Sequence, residues 1–336
     1  MNPKMKFQPV SHSWVALHPQ PKGVIQFIGG AFFGTFLPMF FYRYLLQSLF
    51  NNGYTIILLP FNFTFNHYVE AGFLIKEQYE ITPELVRMAQ LANYDYQAYL
   101  KDTNFSWVGH SIGCKYIALL EGFTALPEDH DELEKLIRKI VLETSTTSDK
   151  AVNERKVERI LSDIETLIHE LQQETEKATK LSSYYVGAEK HIFSDLFIKG
   201  QTSVLLAPVN SGTDSAIPKF LATIIDKLGW GVNPSPQETY ALIKETNLFN
   251  LLGLIQFKAD KIAQSTVDWF INNFHKPPVD FRHIASGGHL KPLGLQIGNY
   301  VLNFPDSLLI IESTQRRNAE LESYVGKLLQ ALEEKR

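Results

Sequence analysis

Ser111 lies in Gly109-His-Ser-Ile-Gly113, a G-x-S-x-G pattern between the apolar run Phe105–Gly109 and the helical run Cys114–Phe123. On a sharp strand-to-helix turn, the flanking glycines let helix and strands close tightly. The serine hydroxyl is then exposed at the strand's end and the next amide, that of Ile112, points at the same space. That arrangement suits nucleophilic attack on an acyl carbonyl. A serine hydroxyl is a weak nucleophile by itself, so it needs a base, a group that orients the base, and donors for an oxyanion. The bland alternative is a tight turn without chemistry.

The base is expected on a late loop, in the chain order serine, acid, histidine. Of ten histidines, His289 in Ser286-Gly-Gly-His-Leu-Lys-Pro292 follows the last sheet-like run. His283 falls within that run and His275 ends a helical stretch. His130, His169 and His191 fall in a charged segment, His12 and His18 precede the expected fold, and His110 is the variable position of the turn. His67, after an early strand, is the runner-up. The orienting acid should follow the strand before the histidine-bearing one. Asp260 does so, after Leu251–Phe257, with room for one helix and one strand before His289. Asp268 within a helix and Asp280 at a strand start fit less well. A second oxyanion donor is expected from Ile28-Gly29-Gly30-Ala31, at the amide of Ala31 or Gly30.

These residues need a frame. Short β-rich runs begin at Gly23, Tyr54, Phe105, Ser203, Leu251 and Val279, separated by helical stretches at Met39–Asn51, Thr82–Leu100, Cys114–Phe123 and Ser265–Phe274. Continuous apolar strands alternating with helices predict a mostly parallel, twisted sheet with helices on both faces. Thr82-Pro83-Glu84 reads as a helix start. Between residues 126 and 199 the sheet pattern pauses. There Val157, Ile160, Leu161, Ile164, Leu167, Ile168 and Leu171 recur at helical spacing. A helix over Lys150–Ser182 would span roughly 50 Å. The expected organisation is a core of residues 1–125 and 200–336 with a helical cap insertion at 126–199, serving as a lid over the site, an oligomer interface, or both. A charged helix is expected at Arg317–Lys335 after Asp306.

The 336 residues are 45% hydrophobic and 20% charged, with net charge −4, which excludes a basic nucleic-acid-binding protein. The single cysteine, Cys114, excludes an intrachain disulfide and reads as a buried core residue. No secretory leader is visible, and Ala31–Phe50 is interrupted by Pro38, Arg43 and Gln47, so a cytoplasmic protein without a transmembrane segment is expected. No His/Cys/carboxylate spacing suggests a metal, Gly29–Gly34 lacks a dinucleotide-binding pattern, and no cofactor is expected.

The turn with its late acid and histidine resembles the α/β-hydrolase superfamily. Four stretches, GVIQFIGGAFFG, YRYLL…GYTIILLPFNFTFNH, GHSIGCK and HLKPLG, are similar to the family called domain of unknown function 1350, of cyanobacteria and plastids. The resemblance implies an α/β-hydrolase fold and a serine-hydrolase site, and an Asp where Asn66 stands; it implies no substrate. The expected activity is hydrolysis of a small-molecule carboxylic ester or thioester. The aromatic run Phe32–Phe41 suits an apolar, lipid-like acyl group and leaves peripheral membrane contact open, as is the oligomeric state. The alternatives are acyl transfer to another acceptor, or a non-catalytic binding or assembly protein of the same fold.

Overall fold

The computed structural model describes residues 3–62, 64–145, 147–187, 192–193, 196–212, 232–304, 310–313 and 318–336. His191, Asp306 and Arg317 lie outside them. Eight strands form one sheet: β1 (Gln8–Val10), β2 (Ser13–Ala16), β3 (Gly23–Ile28), β4 (Tyr54–Leu58), β5 (Phe105–His110), β6 (Thr202–Leu206), β7 (Leu252–Phe257) and β8 (Arg282–Ala285). Their order is β1-β2-β4-β3-β5-β6-β7-β8. From β4 to β8 every pairing is parallel; the β1–β2 and β2–β4 pairings are antiparallel, so β2 runs against the other strands. Strands β3, β4, β5 and β6 are buried at every position, which is why they read as unbroken apolar runs. With helices on both faces, this is the α/β-hydrolase fold.

The helices are α1 (Ala31–Thr35), α2 (Pro38–Phe41), α3 (Arg43–Asn51), α4 (His67–Ala92), α5 (Gly113–Phe123), α6 (His130–Thr144), α7 (Lys150–Val186), α8 (Pro236–Thr246), α9 (Gln264–Asn272) and α10 (Glu320–Lys335). Helices α3 and α10 pack together on one face of the sheet; α4, α5 and α8 pack on the other. Helix α7 forms a further layer outside α4. Its stripe Val157, Ile160, Leu161, Ile164 and Leu171 is buried, and a Leu167 methyl occupies the space that a Cβ on Gly72 of α4 would take. Asp163 accepts a hydrogen bond from Asn66 at the start of α4, and the carbonyl of Tyr185 accepts one from Gln90 near its end. The two helices therefore run side by side in the same direction.

Several elements differ from the sequence reading. The helix expected from Thr82 starts at His67, and Pro83 is interior. Asn66 makes the N-cap, its side chain accepting the Val69 amide at 3.3 Å, so the Thr-Pro-Glu signature is overridden by tertiary packing. His12 and His18 flank β2, inside the fold rather than ahead of it, because the β1–β2 hairpin pairs onto β4. The helix read at Met39–Asn51 is broken at Tyr42 into α2 and α3. A second sheet, β9 (Gly294–Ile297), β10 (Tyr300–Asn303) and β11 (Ile310–Ser313), has no counterpart in the sequence reading.

Candidate active site

Ser111 follows β5 directly and has φ +57°, a left-handed backbone that non-glycine residues adopt only under constraint. The constraint is visible. The Ser111 amide donates to the Leu206 carbonyl at 3.0 Å, and the Ser111 carbonyl accepts from the amides of Cys114 and Val209, both at 3.1 Å. The turn can close because position 113 is glycine: a Cβ there would stand 2.3 Å from the Ile28 carbonyl oxygen. Helix α5 is thereby drawn against the end of β3, and the Ser111 side chain is left half-buried at the sheet edge.

His289 lies beyond β8 in a turn that is sewn to the loop after β7, where the Ala259 amide donates to the Gly287 carbonyl at 3.0 Å. The imidazole is nearly buried. Its Nε2 is 2.8 Å from Ser111 Oγ, and its Nδ1 is 2.9 Å from Asp260 Oδ2. The other Asp260 oxygen accepts the amides of Ile262 at 2.8 Å and Ala263 at 3.0 Å. Burial raises the Asp260 carboxyl pKa, but the hydrogen bonds from His289, Ala263 and Ile262 outweigh it and hold the group below its ordinary value. A carboxylate facing Nδ1 fixes the proton there, so Nε2 presents its lone pair to the serine hydroxyl. Loops that leave three separate parallel strands bring these three groups together at one edge.

The other sequence candidates are elsewhere. His67 is buried at the first turn of α4, edge-on to Tyr116 at 5.4 Å between ring centroids, and makes no hydrogen bond to Ser111. Burial, with help from the nearby Lys115 ammonium, lowers its pKa to about 3. His283 is in β8 and packs on Tyr324. Asp268 lies in α9 and Asp280 in the 3-10 turn Val279–Phe281. Asn66, where the resemblance implies Asp, is a helix cap. Cys114 is buried, and burial drives its thiol pKa far up.

Of the expected oxyanion donors, Gly30 needs correction: its amide donates to the Tyr42 hydroxyl at 2.8 Å and is not free for a substrate. Ala31 is the first residue of α1 and Ile112 the N-cap of α5, and neither position has an intrahelical acceptor for its amide. Gly30 sits against the nucleophile, since a Cβ on it would be 3.2 Å from Ser111 Cβ. The sequence reading missed Tyr42. Its role depends on a contact with His110, 68 positions away, which no local spacing signals.

Among the described residues, no group of three or more His, Cys, Asp or Glu side chains is placed to hold a metal ion. None of their helices is long and apolar enough to cross a membrane.

The search of curated proteins matches none. Among solved structures, an esterase from Pyrococcus furiosus is similar at 10% identity and TM-score 0.40, over 97% of this chain and 93% of that one. A thermophilic esterase from Thermogutta terrifontis with propionate bound aligns at 12% identity and TM-score 0.38, over 99% and 93%. A carboxylesterase from Lactobacillus plantarum aligns at 10% identity and TM-score 0.41, over 85% and 84%. Residues 6–127, which run from the first hairpin through the Gly29-Gly30 turn and Ser111 to the end of α5, match the family described as protein of unknown function (DUF1350).

Proposed function

We propose that the chain is a serine hydrolase that cleaves a carboxylic ester or thioester through an acyl-enzyme on Ser111. The observation that carries this is the unbroken Ser111–His289–Asp260 hydrogen-bonded array, with contacts of 2.8 and 2.9 Å. Ser111 Oγ attacks the carbonyl carbon while His289 Nε2 takes its proton. The imidazolium that forms is held by the Asp260 carboxylate, which also fixes the tautomer. The amides of Ile112 and Ala31 receive the developing oxyanion. Collapse expels the alkoxide or thiolate, protonated by His289, and leaves the acyl group on Ser111. Water, deprotonated by His289, then releases the acid and restores the serine. Acyl transfer shares the first half, and only the acceptor differs.

The acyl group is assigned as apolar. Phe32, Phe36 and Phe40 follow the Ala31 amide directly and are 58%, 52% and 47% exposed, unusually open for phenylalanine. No charged residue falls between Ala31 and Tyr42. In this reading residues 126–199 are an insertion into a core of 1–125 and 200–336. Helix α7 packs along α4 and against α6.

Turnover of p-nitrophenyl esters from acetate to palmitate, wild type against Ser111→Ala, tests both parts. Hydrolysis favouring the longer chains and abolished in the variant is the expected result. Equal turnover by the two proteins would remove Ser111 from the chemistry, and a preference for acetate would refute the apolar acyl site.

A further inference from the structure

Behind the array, a second set of polar groups is buried. The Gly30 amide donates to Tyr42 Oη at 2.8 Å, Tyr42 Oη is 2.8 Å from His110 Nδ1, and His110 Nε2 is 2.9 Å from the His289 carbonyl oxygen. Tyr42 is 0% and His110 1% exposed, so no solvent competes for these bonds. Their direction is dictated. A carbonyl only accepts, so His110 carries its proton on Nε2. The Nδ1 lone pair then accepts the Tyr42 hydroxyl proton, and the Tyr42 oxygen remains free to accept the Gly30 amide. The opposite tautomer would set two lone pairs facing each other at His289.

We propose that Tyr42 and His110 are positioning residues that lock the oxyanion loop and the loop bearing His289 to the turn that bears Ser111. The proposal rests on the serine-hydrolase reading above and deepens it. His110 is the residue immediately before Ser111, so one imidazole ties the base to the nucleophile's own backbone. At the other end, Gly30 is extended, with φ −74° and ψ 166°. Successive amides of extended backbone face opposite ways, so fixing the Gly30 amide on Tyr42 sets the direction of the Ala31 amide. The relay thus sets the relative placement of donor, nucleophile and base, a geometry in which a shift of about 1 Å costs on the order of 10²-fold in rate.

The test is Tyr42→Phe, which keeps the ring and deletes the hydroxyl. It is measured by ester kcat and KM, by the rate of Ser111 labelling with a fluorophosphonate, and by thermal unfolding. Nitrogen-15 NMR of the imidazoles in the wild type reads the relay directly. The expected result is a folded variant with kcat lower by about 10²-fold and KM within about twofold, and labelling slowed in parallel. A His110→Asn/Tyr42→Phe double variant should be little slower than Tyr42→Phe, because the two act as one unit. In the wild type, His110 should show a protonated Nε2 and an unprotonated Nδ1. A wild-type kcat in a folded Tyr42→Phe, or a protonated Nδ1 in the wild type, would overturn the relay. Should Tyr42→Phe not fold, the wild-type tautomer still decides. Absence of both turnover and labelling in the wild type would instead sink the hydrolase reading, and the NMR result would still separate that failure from an error in the relay's geometry.

Discussion

At the scale of single residues, the array demands a strict division of labour. Asp260→Asn presents an amide where His289 needs an acceptor and favours the wrong tautomer. It should leave the fold intact and lower kcat by on the order of 10⁴-fold. His289→Ala should cost nearly as much as Ser111→Ala, and the double variant little more, because the groups act as a unit. His67→Ala should slow turnover far less than His289→Ala, because its ring is turned to Tyr116 and not to Ser111. A reversal of that ranking in folded variants would move the base to His67. The meeting of Ser111, His289 and Asp260 was legible from motif, chain order and loop position; the strands before Ser111 and Asp260 show as apolar runs, whereas β8 before His289, Arg-His-Ile-Ala, does not. The engagement of Gly30 was not legible, because a glycine turn shows where amides are free to point but not which side chain has already claimed one.

At the scale of elements, close approach at one glycine shapes the turn. Gly113→Ala would push a methyl to 2.3 Å from the Ile28 carbonyl oxygen, which is backbone and cannot swing aside. The variant should lose both thermal stability and Ser111 reactivity, whereas a stable, reactive Gly113→Ala would mean that the turn is looser than described. The α4–α7 contact makes a separate claim. Leu171 is fully buried in α7, so Leu171→Ala should cost about 2–5 kcal/mol in chemical denaturation with catalysis of the folded fraction preserved. The apolar spacing of α7 was readable because one face of a long helix is buried over many turns. The second sheet was not legible because β9 and β10 are four residues each with one buried position apiece, although Gly298-Asn299 between them is a hairpin signal. The start of α4 was hidden because Asn66 alone is a weaker helix-start signal than Thr82-Pro83-Glu84, and packing decides between them.

At the scale of the whole molecule, the buried histidines predict acid sensitivity. Burial, and the neighbouring His289, lower the pKa of His110 to about 3; burial with Lys115 does the same for His67. Both folded values lie below the unfolded one, near 6.5, so the unfolded chain binds more protons between pH 6.5 and 3. Stability contributed by the neutral rings is present above pH 6.5 and lost as pH falls through that window, about 2 kcal/mol each at pH 5. Glu121, raised to about 7 by burial, acts in the opposite sense between its ordinary 4.5 and 7, so the comparison must be with a variant. Relative to wild type, His67→Phe should gain about 2 kcal/mol on going from pH 7.5 to 5 in urea denaturation; an unchanged difference would mean that His67 is not held neutral. The proposed chemistry requires one group, Ser111, to be activated. Incubation with a fluorophosphonate followed by peptide mass spectrometry tests it most directly. A single adduct on Ser111 of the wild type is expected, strongly reduced in His289→Ala and absent in Ser111→Ala; an unmodified Ser111, or equal labelling of wild type and Ser111→Ala, would mean that Ser111 is not an activated nucleophile.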